Sequence, residues 1–129
     1  MEVYEQDILV SESDLDELEH VNNVRYVQWV QDIAESHWLS KANAEILDSF
    51  FWVLIDHHIQ YKGEARLGDV ILAKTYVKSS EGLISTRIVE MIDKKRQKLI
   101  VKSTTKWCLM NKKSKRPTRI TKTLQSLFE

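Results

Sequence analysis

Four apolar runs fill the second half of the sequence, and only short polar breaks separate them. "FFWVLIDHHIQY" (50–61), "VILAKTYV" (70–77) and "LISTRIVEMI" (83–92) are rich in β-branched and aromatic residues, the composition of strands. The fourth run alternates. Leu99, Val101, Ser103, Thr105, Trp107 and Leu109 share one face, while Ile100, Lys102, Thr104, Lys106 and Cys108 take the other. The breaks are "GEARLGD", "SSEG" and "DKKRQK". A parallel crossover needs a dozen or more residues, so breaks this short predict antiparallel hairpins.

The first half holds one long helix. From Val24 to Leu39, apolar residues recur at Tyr26, Val27, Val30, Ile33, Ala34, His37 and Trp38, the i, i+3, i+4, i+7 spacing of a buried helical stripe. Asn22 or Asn23 stands where a capping oxygen is needed. Residues 2–10 read as a first strand, 40–48 as a short helical turn, "NKKSKRPTRI" as a loop and "TKTLQSLF" as a short closing helix. One helix against one curved antiparallel sheet is an α+β layout. A sheet covers a helix from one side, and Val24 and Trp29 widen the apolar stripe beyond that side. A second copy of the chain packing nearby is therefore expected, most simply a homodimer.

With 129 residues, the chain suits a single domain over 1–129. Nineteen basic residues balance nineteen acidic ones, which argues against a nucleic-acid binder. Cys108 is the only cysteine, so no intrachain disulfide forms and a cytoplasmic location fits. "MEVYEQDILV" lacks the basic and apolar regions of a signal peptide, and no apolar stretch is long enough to span a membrane.

Directly before the helix stands "DLDELEHVNN" (14–23), with four carboxylates, an imidazole and two amides in ten positions. A helix cap needs one such residue. With the helix that follows, "DLDELEHVNNVRYVQWV" resembles the signature of hotdog-fold acyl thioesterases, the 4-hydroxybenzoyl-CoA thioesterase-like group. It is especially similar to the plant acyl-ACP thioesterases and their bacterial relatives. "YKGEARLGDVI" resembles the family's Tyr-x-x-x-Ala-x-x-Gly-Asp segment between strands, and "KWCLMNKKSKRPTRI" its last long strand and Arg-Pro-x-Arg-Ile tail.

The resemblance implies a five- to six-stranded antiparallel sheet wrapped around one long helix, assembled as a homodimer or homotetramer with its active site at the dimer interface. It further implies a thioester hydrolase acting on acyl-CoA or acyl-ACP. Asp16 is carried over as general base or nucleophile, and His20 as its supporting group. The Asn23 N–H, at the positive end of the helix, is the expected oxyanion donor. Asn22, Tyr26, His58 and Arg116 are the candidate substrate-binding residues. Two positions depart from the pattern: Leu18 stands where the plant enzymes carry Asn, and Glu19 where many bacterial members carry Gly. Asp14 reads as a surface or turn-forming residue.

Neither a metal nor a redox cofactor is expected. Asp56 and His58 share one strand face while His57 points to the other, which leaves too few converging ligands for a metal. Since Asp16 supplies the carboxylate, neither Asp56 nor Glu64 is enlisted. The basic residues of 94–96 and 112–119 read either as a solvated surface or as an attraction for an anionic carrier, the CoA phosphates or an acidic carrier protein. The rival readings are a hotdog module that binds acyl thioesters without cleaving them, and a hotdog hydratase or dehydratase.

Overall fold

The computed structural model describes residues 1–129. The chain forms β1 (Tyr4–Leu9), α1 (Asn23–Lys41), α2 (Ala44–Ser49), β2 (Phe50–Tyr61), β3 (Val70–Glu81), β4 (Ile84–Asp93), β5 (Lys98–Asn111) and α3 (Lys122–Ser126). The sheet runs β1-β3-β4-β5-β2, and every neighbouring pair is antiparallel. One long helix held in the curve of such a sheet is the α+β hotdog arrangement. No helix is long and apolar enough to cross a membrane.

The order of strands departs from a simple meander. β3, β4 and β5 are joined by the expected hairpins, the first closed at Gly82, whose φ of 61° a side chain would resist. β2 does not pair with β3 but lies at the opposite edge, against β5. "GEARLGD" is therefore a strap between edge strand and interior, and its polar groups find partners along the way. The Lys62 and Gly63 N–H groups donate to the Ile100 carbonyl, and the Ala65 N–H to the Tyr26 hydroxyl.

Ile100 can accept both because β5 carries a bulge there: Met91 faces Val101 and Ile92 faces Leu99, leaving Ile100 as the extra residue. The bulge also breaks the expected alternation, and Ile100 is buried beside Val101. Further irregularities fall at Ile55 in β2 and Lys78 in β3. Bulges sharpen the local twist and bend, which helps the sheet close around α1.

That curvature explains Trp29. Its side chain was expected to await a second copy, but it is 7% exposed and packs edge-on to Tyr26 at 5.6 Å, inside the chain's own core. The bent sheet covers one side of α1, and Val10, Val21 and Ala65 join the same core cluster from the flanking segments. Val24 and Leu39 are the large apolar residues of the helix left exposed.

Asn22 caps α1, its side-chain oxygen accepting the Val24 N–H at 3.0 Å. The approach to that cap is fixed by Asp14, which is buried rather than on the surface. Its carboxylate accepts the Ser11 N–H at 2.8 Å and the Arg25 Nε–H at 2.6 Å, and its carbonyl accepts the Asn22 N–H. One residue thus ties the polar stretch to both cap and helix. Burial alone would raise the Asp14 carboxyl's pKa, but the bonds from Ser11 and Arg25 outweigh it and hold the group below its ordinary value.

A depressed folded-state pKa gives stability that is complete above the unfolded value and lost as pH falls through the folded one. Asp14→Ala should lower the unfolding free energy by about 2 kcal/mol at pH 7. In urea titrations the gap between variant and parent should close on acidification through that range.

Candidate active site at the N-terminus of the long helix

Residues 16–20 fold back on themselves. Asp16 Oδ1 accepts the Leu18 and His20 N–H groups at 2.9 and 3.1 Å, while the Asp16 N–H donates to the His20 carbonyl at 2.7 Å. Asp16 thus makes the turn, and in doing so leaves its Oδ2 without a partner in the chain. Glu19 sits in the left-handed region at φ 64°, a conformation that costs a non-glycine residue of the order of 1 kcal/mol. That accounts physically for Gly in the pattern the stretch resembles. Leu18 stands exposed and offers no polar atom where that pattern has an amide.

His20 Nδ1 lies 3.0 Å from Glu64 Oε2, and Glu64 Oε1 accepts from Arg66 at 3.1 Å. These side chains are more than a third exposed, so the ion pairs add little to stability. Their effect is orientation: with Nδ1 donating to Glu64, the ring presents Nε2 outward. The sequence alone gives Glu64 no role, because Asp16 already provides a carboxylate. The available signal was its place in "YKGEARLGDVI", the strap that Ile100 and Tyr26 fasten beside the helix. A backbone bridge between His20 and Arg66 brings strap and loop together.

At the helix end, Val24 N–H goes to the Asn22 side chain and Arg25 N–H to the Asn22 carbonyl. The Asn23 N–H has no acceptor in the chain. This free amide carries the helix's partial positive charge toward solvent, beside the Asp16 loop.

The other sequence candidates are placed less uniformly. Asn22 is occupied as the cap. Tyr26 is buried, with its hydroxyl on the Ala65 N–H at 2.9 Å, so it holds the strap in place. Burial, partly offset by that bond, raises its phenol pKa. His58 lies exposed on β2 opposite Thr104, while His57 turns inward to the Ser103 hydroxyl at 2.8 Å. Arg116 belongs to the loop after β5, near Asn111, which pairs with Phe50. Phe50 and Tyr61 are roughly 35 Å apart along β2 at the strand rise, so one chain does not bring Arg116 to the helix N-terminus.

Similarity to known proteins agrees with this architecture. Residues 1–128 match the family described as the acyl-ACP thioesterase N-terminal domain. Among curated protein sequences, none matches the chain. Its structure is similar to a 1,4-dihydroxy-2-naphthoyl-CoA thioesterase from Synechocystis, at TM-score 0.84 and 15% identity over 98% of this chain and 95% of that one. A 12:0-ACP thioesterase from Umbellularia californica matches at TM-score 0.83 and 15% identity, over 98% of this chain but 51% of that one. A Staphylococcus aureus protein solved in complex with CoA matches at 0.86 and 12%, over 98% and 81%. Identities this low speak for the fold alone, whereas the family match runs almost from end to end. The chain belongs to the acyl-ACP thioesterase N-terminal domain family, with the hotdog fold.

Proposed function

We propose that this protein hydrolyses an acyl thioester, acyl-CoA or acyl-ACP, to the free acid and thiol. The observation that carries this reading is the pair of unsatisfied groups at one helix end: the Asp16 Oδ2 oxygen and the Asn23 N–H. Hydrolysis needs a base or nucleophile on one side of the carbonyl carbon and a donor on its oxygen. With Asp16 as base, it takes a proton from water as the water oxygen bonds to the carbonyl carbon. The Asn23 N–H meets the oxyanion, and collapse breaks the C–S bond. The thiolate leaves with the proton, by way of Asp16 or His20 Nε2. With Asp16 as nucleophile, its carboxylate oxygen bonds to the carbonyl carbon and the C–S bond breaks, giving an anhydride and the thiolate. Water then opens the anhydride to the free acid and the Asp16 carboxylate, and its released proton goes to the thiolate. Glu64 holds His20 in position in both routes.

A second copy completes the site in this reading. β2 is an edge strand with Val53 and Ile55 exposed, and Leu18, Val24 and Leu67 stand exposed on the segments that form the site. Unpaired strand edges and apolar rims of this kind are covered in stable assemblies. A homodimer formed over β2 would cover both; a monomeric mass by light scattering at assay concentrations would contradict it. The single buried thiol, Cys108, fits a reducing cytoplasm.

Thiol release from a panel of acyl-CoAs and acyl-ACPs tests the activity and ranks acyl chain and carrier. Asp16→Asn keeps an oxygen for the two turn bonds, so the fold should persist while kcat/KM falls at least about a hundredfold. Folded protein that binds thioesters without turning any over would replace the hydrolase with a binding module, the outcome that Leu18's lack of a polar atom would favour.

A further inference from the structure

Toward the other end of α1 lies a second site. A cavity of about 420 Å³ opens between the C-terminal half of that helix, α2, α3 and the sheet. Its volume is in the range, roughly 300–1,000 Å³, that accommodates small ligands. Gln31 is the first helix residue in its wall, eight positions beyond Asn23, or about 12 Å along the axis. Trp38, Phe50, Trp52, Leu124 and Phe128 make most of the lining apolar.

The polar part of the wall is Gln31, Glu35, Ser80, Ser85, Lys112 and Arg87, and of its charged residues only Arg87, on β4, is buried. It lines the cavity although only 6% exposed. Its Nη1 donates to His37 Nδ1 at 2.8 Å and to the Thr75 hydroxyl at 3.0 Å. No carboxylate reaches it. The one carboxylate in this network, Glu2, lies beyond His37, on Nε2 at 2.9 Å, and is already paired with Lys41. Accepting at Nδ1 leaves the His37 proton on Nε2, and burial, the largest influence, favours that neutral ring. Burial pushes the Arg87 guanidinium down only to about 10, so it is still cationic at neutral pH.

The Phe128 ring, 5.6 Å from the Arg87 Cζ, offsets part of the cost of burying this cation, but no anion does. The remaining donors of Arg87, Nε and Nη2, bond nothing in the chain. Since no fully buried side-chain nitrogen or oxygen lacks a partner, both must touch open space. These two N–H groups point the same way along one side of the guanidinium, spaced for the two oxygens of a carboxylate.

We propose that this cavity binds a small carboxylic acid with an apolar body, its carboxylate held bidentately by Arg87 Nε and Nη2 and its body against Trp38, Trp52 and Phe128. The carboxylate has two possible sources: a free acid, or the far end of an acyl group that carries a second carboxyl.

Three tryptophans in the wall, Trp38, Trp52 and Trp107, give the readout. Octanoate and 1-octanol, equal in chain length, are titrated against the full-length protein by tryptophan fluorescence and calorimetry. Octanoate should bind at least about tenfold more tightly than the alcohol. Arg87→Met should abolish that preference while still binding octanol, which also reports that the cavity is intact. Arg87→Lys, which keeps the charge but loses the fork, should fall between. Equal affinity of acid and alcohol for the wild type would overturn the proposal. So would an acid affinity that Arg87→Met leaves unchanged, or no acid binding at all.

The wild-type comparison needs no variant, and none of the titrations needs turnover, so this test stands or falls apart from the hydrolase reading. Comparing suberoyl-CoA with octanoyl-CoA as substrates identifies the source. A suberoyl preference lost in Arg87→Met assigns the carboxylate to the acyl end. Equal rates, with octanoate still bound at Arg87, assign it to a free acid.

Discussion

The buried Asp14 carboxylate is the fastening on which the end of the molecule carrying the candidate site depends. Backbone polar groups removed from water need partners, and Asp14 supplies several of them at once to the loop before α1, the cap of α1 and its first turn. With Asn22 held, its side chain and carbonyl take the Val24 and Arg25 amides. Among the groups then left without a partner in the chain are the Asn23 N–H, the outer oxygen of Asp16 and the outer nitrogen of His20. The candidate site is drawn from the groups that the fold leaves over. Their chemistry follows from that, because a free amide at a helix N-terminus stabilises negative charge wherever it develops nearby.

The strap between β2 and β3 supplies the other half of the site through a different device. A single extra residue in β5, Ile100, turns one carbonyl toward Lys62 and Gly63. Tyr26 takes the next available amide, at Ala65. Glu64 lies between these fastenings and so reaches His20 from a fixed direction. Helix, loop and strap are distant in sequence yet each constrains the others. α1 also divides the molecule chemically. Its N-terminal end gathers carboxylates, an imidazole and a free amide, while the cavity along its C-terminal half is mostly apolar with one buried cation, Arg87. Two polarities along one helix suit a ligand, or two ligands, with distinct ends.

Much of this was legible in the sequence because it rests on local periodicity. The stripe of α1, the limits of β2 and the hairpins from β3 to β5 follow from side-chain alternation and short turns. Asp16, His20 and Asn23 could be named because a dense polar stretch in front of an apolar helix is unusual and matched a known pattern. What was not legible depends on contacts between distant segments. The strap looked like a hairpin turn because its length allows one, and only the pairing of β2 with β5 rules it out. Ile100 broke the alternation because a bulge is set by the partner strand. Trp29 looked like an interface residue because the curvature of the sheet is not written in any one strand. Asp14 resembled any turn aspartate until Arg25 was seen to close over it. Arg87 carries no local signal that separates it from surface charges, and Glu64 only its place in the strap motif. Their environments are made by His20, His37 and Thr75, the nearest of them twelve positions away.

The placement of the reacting carbonyl can be read directly from its stretching frequency. An isotope-labelled acyl-CoA thioester, bound to Asp16→Asn so that it persists, carries an infrared band that reports the donors on its oxygen. A carbonyl seated on the free Asn23 amide of α1 should absorb at a lower frequency than the same thioester in water. A band at or above the water value would mean that the helix N-terminus does not hold the thioester, and the site would have to be sought elsewhere.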